Sequence, residues 1–349
     1  MVSSKTRLFL SVFADFFVIL QRQYCYVETP NDMNTNNSIP LIIDAHSHLW
    51  LKQDTAWNGL EIRTTQNGRS IFLGQEVQML PPFMIDGRNT AEVFLSNMDY
   101  AQVGAAVVVQ EFIDGLQNDY LETVQQQYPD RFFCFAMADY LKDGFCEQAR
   151  RLMFDDGFRG MAIPGHRLMG RPLNSQEMME MFHMMEDGGR LLSITLEDGD
   201  RQVAQLREVI EECPGLKIAI GHLGMADQPK TPCWENGSWR DQILLARHEH
   251  VMIESGGITW LYNPEFYPYP SAIRAIREAA ELVGFEKLMW GSDYPRTITA
   301  ITYRMSYDFI TKSTELSDAD KRLFLGENAR RFYGFGNLPE LPYVKNMSE

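Results

Sequence analysis

The chain has 349 residues, of which 45% are apolar, and it carries a formal net charge of -15. This length and apolar content suffice for one large domain or two ordinary ones with a sizeable core. The negative charge argues against nucleic acid or an anionic membrane as the partner. The cysteines are scattered and form no C-x-x-C pair, which indicates reduced structural thiols in a reducing compartment.

The first forty residues differ from the rest of the sequence. Two basic residues precede an apolar run, Leu8–Leu20, which resembles a signal-peptide core more than a membrane span. No small-x-small cleavage site follows, and an Asn-rich stretch leads to the first predicted strand. We therefore predict that residues 1–39 are an extension, that the functional chain starts near Met33, and that the protein is cytoplasmic without a stable membrane span. Export directed by residues 1–25 is the alternative.

From Pro40 onward, strand-like apolar runs alternate with runs of helical spacing. The predicted strands are Leu41–Ala45, Ala105–Gln110, Arg131–Ala138, Phe158–Ile163, Leu191–Leu196, Leu216–Ile220, Val251–Glu254 and Lys287–Trp290. The predicted helices are Ala91–Val103, Tyr120–Gln127, 144–154, Gln176–Glu186, Asp200–Glu212, Trp239–His248, Pro270–Val283 and Ser317–Phe332. Eight strand–helix units predict an α/β fold with a single closed (β/α)8 TIM barrel over residues 40–336.

Three smaller features complete the predicted architecture. Residues 51–88 contain many glycines and prolines and lack a clear period, so they are predicted to be a long insertion after the first strand. Ser271 is placed to cap the seventh helix, and Ser317, with an aspartate three residues later, begins the eighth. Residues 337–349 are predicted to form a surface tail.

In a TIM barrel, chemistry occurs at the carboxyl ends of the strands. Polar residues follow most of the predicted strands: His46 and His48, His166 and Arg167, Glu197 and Asp198, His222, Glu254, and Asp293. All of them should therefore lie on one rim. A second H-x-H, His248-Glu249-His250, precedes its strand and is predicted to lie on the opposite, structural rim. His183 lies in a Met-rich helix and is assigned to an outer packing face.

His46 and His48 are two residues apart, which points both imidazoles to the same side of an extended strand. With Asp293 they supply three ligands for one divalent ion, zinc first and manganese second. The ion would lower the pKa of its water to roughly 7 and polarise a carbonyl. Asp293 could then take the proton of the water, and His222 could hydrogen-bond the oxyanion. The structural alternatives are a turn cap for Asp293 and a core histidine for His222.

Five motifs together resemble the amidohydrolase superfamily, in its amidohydrolase-related branch of metal-dependent barrels. The motifs are Ile43-Asp44-Ala45-His46-Ser47-His48-Leu49-Trp50, Val107-Val108-Val109-Gln110, Gly221-His222-Leu223-Gly224, Met289-Trp290-Gly291-Ser292-Asp293-Tyr294-Pro295, and Gly326-Glu327-Asn328-Ala329-Arg330-Arg331-Phe332-Tyr333-Gly334. They resemble the I-D-x-H-x-H-x-W, V-x-V-Q, H-x-G, F-G-S-D-x-P and G-x-N-A-x-R-x-Y-G patterns of that branch. Taken in order, the five motifs extend over about residues 41–335.

The resemblance is greatest to sugar and pyrone-dicarboxylate lactonases. It implies a hydrolase that opens a small sugar or carboxylated lactone with an activated water. Many superfamily members have a metal-binding histidine at the end of strand five, where this chain has Ser193-Ile194-Thr195-Leu196-Glu197, and no bridging lysine occurs in Met161–Pro164. The resemblance therefore implies one ion and not two. Some related lactonases work without a tightly held metal, so metal-free action stays open.

The expected substrate is a small molecule that is anionic or derived from a sugar. Trp50, Gln110, His166, Arg167 and Arg296 are predicted to contact it, whereas surface pairing is favoured for Arg88. Non-oxidative decarboxylation of an unsaturated or aromatic acid on the same barrel is the alternative chemistry, although the missing strand-five histidine counts against it. A non-catalytic barrel that binds a sugar or a partner is the third hypothesis. The oligomeric state stays open, and a homo-oligomer is compatible with the sequence.

Overall fold

The structure is a computed structural model that describes residues 41–196, 200–225, 237–345 and 347. The predicted N-terminal extension and the rim residues Glu197 and Asp198 lie outside this part of the chain. No helix within the described ranges combines the length and the apolar character needed to cross a membrane.

The described chain contains twelve strands. They are β1 (Ile43–Ser47), β2 (Asp54–Trp57), β3 (Leu60–Thr64), β4 (Arg69–Phe72), β5 (Gln75–Gln78), β6 (Ala105–Val108), β7 (Phe132–Cys134), β8 (Gly160–Pro164), β9 (Leu191–Thr195), β10 (Lys217–Ile220), β11 (Val251–Glu254) and β12 (Leu288–Met289). Eight of them are parallel and form two sheets with the orders β1-β6-β7 and β12-β11-β10-β9-β8. These eight are the strands that the alternating pattern predicts, in the predicted order.

Backbone contacts join the two parallel sheets at both of their edges. Ala136, just after β7, pairs in parallel with Met161 of β8. At the other edge, Ser47 of β1 pairs with Tyr294, and the Ala45 N–H donates to the Trp290 carbonyl oxygen over 2.9 Å. The two parallel sheets therefore contact each other at both edges, although no continuous hydrogen-bonded ladder joins them at either junction.

Helices follow most of the parallel strands. They are α1 (Ala91–Tyr100), α2 (Asn118–Gln127), α3 (Phe145–Phe154), α4 (Gln176–Asp187), α5 (Asp200–Glu212), α6 (Gly237–Leu244), α7 (Ile258–Leu261), α8 (Pro270–Val283), α9 (Met305–Thr311), α10 (Asp318–Arg322) and α11 (Asn328–Tyr333), with a π-helical turn at Leu323–Glu327 between the last two. α5 and α8 have the predicted bounds. α6 ends four residues before the predicted end, and a 3-10 turn, Leu245–Arg247, continues it.

Two predictions about helix ends need correction. Ser271 does not cap α8, because the helix begins at Pro270 and its N-cap is Tyr269; the Ser271 side chain instead donates to Glu265. The predicted single helix Ser317–Phe332 is divided by the π-helical turn. Ser317 does cap α10, accepting a hydrogen bond from the Asp320 N–H.

The predicted insertion is an ordered antiparallel sheet, β2-β3-β4-β5. Its strands had no predicted bounds, yet the sequence holds hairpin signals. Asn58-Gly59 connects β2 to β3, and both residues have positive φ angles, 49° and 75°. This is the conformation of the tight turns that Asn-Gly favours between strands. Such an Asn-Gly pair marks a strand boundary better than hydrophobic periodicity does, because the periodicity is weak in these short and half-exposed strands.

The parallel strands separate two apolar layers, as the two-residue period of a strand requires. Ile43, Val107 and Ala219 belong to one cluster on one face of the strands, together with Phe133 and Met289. The residues that alternate with them pack against the helices in a larger outer cluster. This inner cluster lies below the carboxyl ends of the strands, so the polar side chains at those ends gather above it.

Candidate active site

Side chains from three strand ends converge above the inner cluster. His48 Nε2 lies 3.1 Å from Asp293 Oδ1, and His46 Nε2 lies 3.7 Å from the same oxygen. The His46 and His222 ring centroids are 4.7 Å apart. Residues from opposite ends of the chain therefore share one centre, as the barrel arrangement requires.

Each imidazole of the H-x-H pair is oriented by a carboxylate. His46 Nδ1 lies 2.7 Å from Glu254 Oε1, and His48 Nδ1 lies 2.7 Å from Asp114 Oδ2. Because a carboxylate only accepts, each Nδ1 carries a hydrogen. Burial opposes protonation of the two rings, but Glu254 and Asp114 outweigh it and raise the pKa of His46 and of His48.

The positions of these hydrogens show whether a cation fits between His46, His48 and Asp293. With both Nδ1 atoms protonated, the two Nε2 atoms direct lone pairs at each other across 3.2 Å. Asp293 Oδ1 adds a third acceptor, and the three ligand atoms lie within 4.8 Å of one another. Neighbouring ligands with metal bonds of about 2.0–2.2 Å lie roughly 3–3.5 Å apart. Three converging acceptors need a proton or a metal cation among them, so the donor set fits a divalent ion.

Asp293 is held in an unfavourable backbone conformation. Its φ is +57°, in the left-handed region that residues other than glycine rarely occupy. Its N–H donates to the His46 carbonyl oxygen over 2.9 Å, and Trp260 Nε1 donates to Oδ2. Burial alone would raise the pKa of this carboxyl, but a protonated His48 ring, which then donates from Nε2, and the other nearby imidazoles hold it well below the usual range. Asp293 is therefore a fixed carboxylate.

A buried aspartate ties the first and the eighth strand end together. Asp44 accepts hydrogen bonds from the backbone N–H groups of His46 and Ser292, over 3.1 and 2.8 Å. Its other oxygen accepts from Ser292 Oγ and from Tyr303 OH, the latter over 2.8 Å. Burial raises the pKa of Asp44 to about 6, opposed by these hydrogen bonds. Asp44 thus fixes the relative positions of His46 and Asp293.

Glycines make room for the His46–Glu254 pair. A Cβ at Gly291 would lie 2.7 Å from His46 Cβ and 3.0 Å from Glu254 Oε2. A Cβ at Gly256 would lie 2.7 Å from both His46 Cγ and Glu254 Oε2. Contacts this short do not occur for real side chains, so the glycine of the W-G-S-D motif is needed for close approach.

His222 has a defined tautomer as well. Its Nδ1 lies 2.6 Å from the Gly256 carbonyl oxygen, which can only accept, so Nδ1 carries the hydrogen. Burial, together with the neighbouring His46, lowers the pKa of His222. The neutral ring therefore offers Nε2 as a hydrogen-bond acceptor. It can donate to an oxyanion only as an imidazolium.

The convergent side chains lie in a cavity of about 560 Å³. The residues predicted to contact a substrate all line it: Trp50, Gln110, His166, Arg167 and Arg296. Arg88 does not line it. The Arg88 side chain is exposed and lies 3.9 Å from Asp86.

The predicted contact residues differ in how many protein partners they have. Trp50 is buried and donates through Nε1 to the Gly87 carbonyl oxygen. The Gln110 amide donates to Asn118 and to the Phe135 carbonyl oxygen, and it accepts from the Gln117 N–H. Both side chains are thus bonded within the protein as well as facing the cavity.

The two basic residues after β8 lie beside a carboxylate. Arg167 Nε forms an ion pair with Glu111 Oε1, and His166 Nε2 lies 3.6 Å from the same oxygen. Burial raises the pKa of Glu111, opposed by Arg167. Burial, assisted by the charge of Arg167, lowers the pKa of His166 to about 3. At neutral pH this corner is therefore an ion pair beside an uncharged imidazole.

Several site residues were not assigned a role from the sequence. The sequence predicts Glu254 on the rim but indicates no role for it, and it does not indicate Asp114 or Trp260 as site residues. Asp114 follows the second parallel strand in Glu111-Phe112-Ile113-Asp114, where its position after a strand end is a signal. Trp260 carries no such signal. It reaches Asp293 only because α7 folds back toward the eighth strand end.

Two other histidine groups lie away from the cavity. His248 and His250 directly precede β11, at the end of the strand opposite to Glu254. His183 Nδ1 lies 3.4 Å from Cys213 Sγ on the helical layer, and Glu186 completes a second group of potential ligands there. The buried face of α4 carries Met178, Met181, Phe182 and Met185, and His183 is outside it.

The amidohydrolase family pattern matches residues 43–335, which is most of the chain. The chain therefore belongs to the amidohydrolase family, and the resemblance inferred from the five motifs is confirmed. No curated protein matches the sequence. The match supports a hydrolase.

Solved structures with the same architecture share little sequence with this chain. One is described as a probable 2-pyrone-4,6-dicarboxylic acid hydrolase from Acinetobacter baumannii with citric acid bound (21% identity, 84% of this chain and 99% of that chain, TM-score 0.64). Another is an amidohydrolase from Burkholderia multivorans with bound zinc (17%, 86% and 100%, TM-score 0.61). A third is 5-carboxyvanillate decarboxylase from Novosphingobium aromaticivorans with manganese (18%, 70% and 80%, TM-score 0.52). These likenesses show the fold alone, and they agree with a TIM barrel.

Proposed function

We propose that this protein is a metal-dependent hydrolase that opens a small lactone by attack of an activated water. The observation that carries the proposal is the set of three acceptors, His46 Nε2, His48 Nε2 and Asp293 Oδ1, converging in a cavity of about 560 Å³. Its similarity to a described pyrone-dicarboxylic acid hydrolase supports a lactone as substrate.

His46, His48 and Asp293 would hold one divalent ion, with zinc as first choice and manganese as second. When bound, such an ion supplies Lewis acidity and makes a nucleophile available at neutral pH. Zinc and manganese in the similar solved structures support this choice. Glu254 and Asp114 would orient the two imidazoles, which is the usual role of carboxylates behind metal-binding histidines.

Asp293 is the proposed general base. Its Oδ2 atom is oriented by the hydrogen bond from Trp260, and its lowered pKa keeps the carboxylate ionised at neutral pH. His222 lines the cavity, and its ring centroid lies 4.7 Å from that of His46. As the neutral tautomer it would accept the proton that the newly formed carboxylic acid product releases. The sequence predicts that His222 stabilises an oxyanion, and only the protonated ring would do so.

We also propose the finer features of the architecture. The parallel contacts at both sheet junctions support one closed (β/α)8 barrel. Phe72, Val77 and Met79 of the antiparallel sheet line the cavity, which supports a role for the insertion after β1 as one wall of the site. The cytoplasmic location and the functional start near Met33 stay predictions.

Decarboxylation of an unsaturated or aromatic acid is the second candidate. The similar solved structures include a decarboxylase, which supports it. Strand β9 ends at Thr195 without a histidine, which counts against it because such decarboxylases use a ligand there. Measuring carbon dioxide release in parallel with proton release separates the two reactions.

Metal content and lactone hydrolysis test the proposal together. We expect purified protein to contain about one divalent ion per chain, and a panel of small lactones to release protons on hydrolysis. The variant His46→Asn should lose both the ion and the activity, because one of three ligands is removed. The matched variant His248→Asn, at an exposed histidine that does not line the cavity, should keep both. Full activity in metal-free protein would remove the ion from the proposal, and no hydrolysis of any lactone would contradict the proposal itself.

The pH profile distinguishes the two roles of His222. Because its pKa is lowered, the neutral ring predominates down to a pH below the usual histidine range. If His222 accepts a proton, kcat/KM should be constant above about pH 6.5 and fall only at lower pH, as the ring becomes charged. A kcat/KM that instead falls as pH rises through that region would assign His222 to oxyanion stabilisation.

A further inference from the structure

A second group of metal-ligating side chains lies outside the cavity, where helix α4 meets the turn that follows α5. His183 Nδ1 lies 3.4 Å from Cys213 Sγ, and the ligand atoms of His183, Glu186 and Cys213 all lie within 4.8 Å of one another. We call these three residues the peripheral cluster. None of the three lines the cavity of the candidate active site.

One helical spacing and one tertiary contact build the peripheral cluster. His183 and Glu186 are three residues apart on α4, a spacing that places two side chains next to each other on the helix surface. Cys213 directly follows α5, and the Gly215 N–H donates to Glu186 Oε1 over 2.6 Å. This hydrogen bond fixes the glutamate beside the cysteine. A carboxylate that accepts one hydrogen bond has lone pairs left for a cation.

The distance between nitrogen and sulfur fits two ligands of one ion. Zinc bonds of about 2.3 Å to sulfur and 2.0–2.1 Å to nitrogen place tetrahedral neighbours roughly 3.5 Å apart. The distance between His183 Nδ1 and Cys213 Sγ is close to this value. On the other side of the ring, His183 Nε2 lies 4.0 Å from Glu212 Oε2. A carboxylate behind the imidazole is the usual companion of a metal-binding histidine.

The surroundings of the peripheral cluster are negatively charged. Helices α4 and α5 both end here, and neither has a basic residue in its last turn. The carboxyl end of a helix carries a partial negative charge that a cation stabilises. Among the described residues, no lysine or arginine lies within ion-pair distance of Glu186 or Glu212. A bound cation would therefore neutralise charge that these residues leave uncompensated.

The Cys213 thiol keeps its proton as long as no ion is bound. Burial, together with the nearby Glu186 and Glu212 carboxylates, raises the pKa of Cys213 to about 11. A reactive nucleophile would need a lowered pKa, so a catalytic role is disfavoured. A coordinating cation removes the proton of a thiol outright, and binding would therefore release one proton to the solvent.

We propose that the peripheral cluster is a second metal site, and that it binds zinc through Cys213 Sγ, His183 Nδ1 and a Glu186 oxygen. A thiolate with an imidazole selects zinc or a similar transition ion over magnesium or calcium. Water fills the fourth position of the tetrahedron. The cluster lies toward the amino-terminal ends of β9 and β10, on the rim that serves stability in a TIM barrel. The ion joins α4 to the turn after α5 and takes no part in hydrolysis.

Cobalt(II) tests the proposal because it replaces zinc and reports its ligands. A thiolate ligand gives cobalt a strong charge-transfer absorption in the near ultraviolet, whereas the ligand set of the candidate active site contains no sulfur. Cobalt is added to the full-length protein as purified. We expect this absorption band to appear and added zinc to abolish it. In His46→Asn, which lacks the other site, the band should saturate at one cobalt per chain.

Matched variants identify the ligands. Cys213→Ser should lose the band, and Cys146→Ser, at another free and partly buried cysteine, should keep it. His183→Asn and Glu186→Gln should each weaken cobalt binding by at least about 10-fold, because even loss of a carboxylate behind a ligand costs that much. Glu211→Gln, at an exposed neighbouring glutamate, should leave the affinity unchanged. Circular dichroism shows that each variant is folded.

Thermal unfolding tests the structural role of the ion. Zinc should raise the Tm of His46→Asn, because an ion that binds only the folded chain stabilises it, and should not raise the Tm of the double variant with Cys213→Ser. An equal gain in both would overturn the structural role. No band in the wild-type protein, a band that survives in Cys213→Ser, or unchanged cobalt affinity in folded His183→Asn would each overturn the site itself.

Discussion

The variant Asp293→Asn is expected to lose 10²- to 10⁴-fold in kcat, the range that a positioned general base contributes. The substitution preserves the shape of the side chain and its contact with Trp260, but the amide cannot take a proton from the attacking water. It also removes one anionic ligand from the set His46, His48 and Asp293. Proton-release assays on the best lactone of the panel measure the loss.

Two measurements separate loss of the base from loss of the ion. Metal content is determined for Asp293→Asn at saturating zinc, and thermal unfolding is followed by circular dichroism. The matched variant Asp143→Asn removes a fully exposed carboxylate and should behave as the wild-type protein. Near-normal kcat in a zinc-loaded, folded Asp293→Asn protein would mean that another group is the base.

The variant Asp114→Ala is expected to lose 10- to 100-fold in metal affinity and in activity. Asp114 is not one of the three proposed ligands, but its Oδ2 accepts from His48 Nδ1 over 2.7 Å and thereby fixes the ring and its tautomer. Removing a carboxylate behind a metal-binding histidine has an effect of this size. The variant also leaves the Glu111 N–H without its side-chain acceptor, so the turn Phe112–Asp114 should loosen.

Zinc titration with a competing chelator measures the affinity of Asp114→Ala. The control is Asp130→Ala, an exposed aspartate of the α2–β7 connection that has no part in the site. A positioning role predicts that high zinc concentrations restore much of the activity, since His48 itself is intact. Loss of activity that zinc cannot restore, in a protein of normal stability, would assign Asp114 a direct part in the reaction.

The order of strands and helices could be predicted from the sequence because each parallel strand is a short apolar run that ends abruptly. β11, α5 and α8 have the predicted bounds. β12 has only two residues, and its predicted extension, Trp290, instead bonds to Phe324 and the first strand. Boundaries of this kind depend on the neighbouring strand, which a local pattern does not contain.

The insertion and the last helix show two other limits of prediction from the sequence. Hydrophobic periodicity does not predict the bounds of β2–β5, because these strands are half exposed. The pair Asn58-Gly59 nevertheless indicates a turn. The π-helical turn after α10 has a tertiary cause: Gly326 packs so closely on Leu41 that a Cβ would lie 2.1 Å from its carbonyl oxygen. Asn328 then donates to the Phe285 and Leu288 carbonyl oxygens and secures β12. No helical pattern within 317–332 could have indicated these contacts.

By itself, the sequence determined the family, the order of the strands and the residue types at their ends, because these follow from local patterns and from motif spacing. His46, His48, His222 and Asp293 could be chosen in this way. Only the tertiary structure decided which partners orient them, since Glu254, Asp114, Gly256 and Trp260 reach the centre from separate strand ends and loops. A tautomer depends on which acceptor lies 2.7 Å from a ring nitrogen, and that distance is set by packing between elements far apart in the chain.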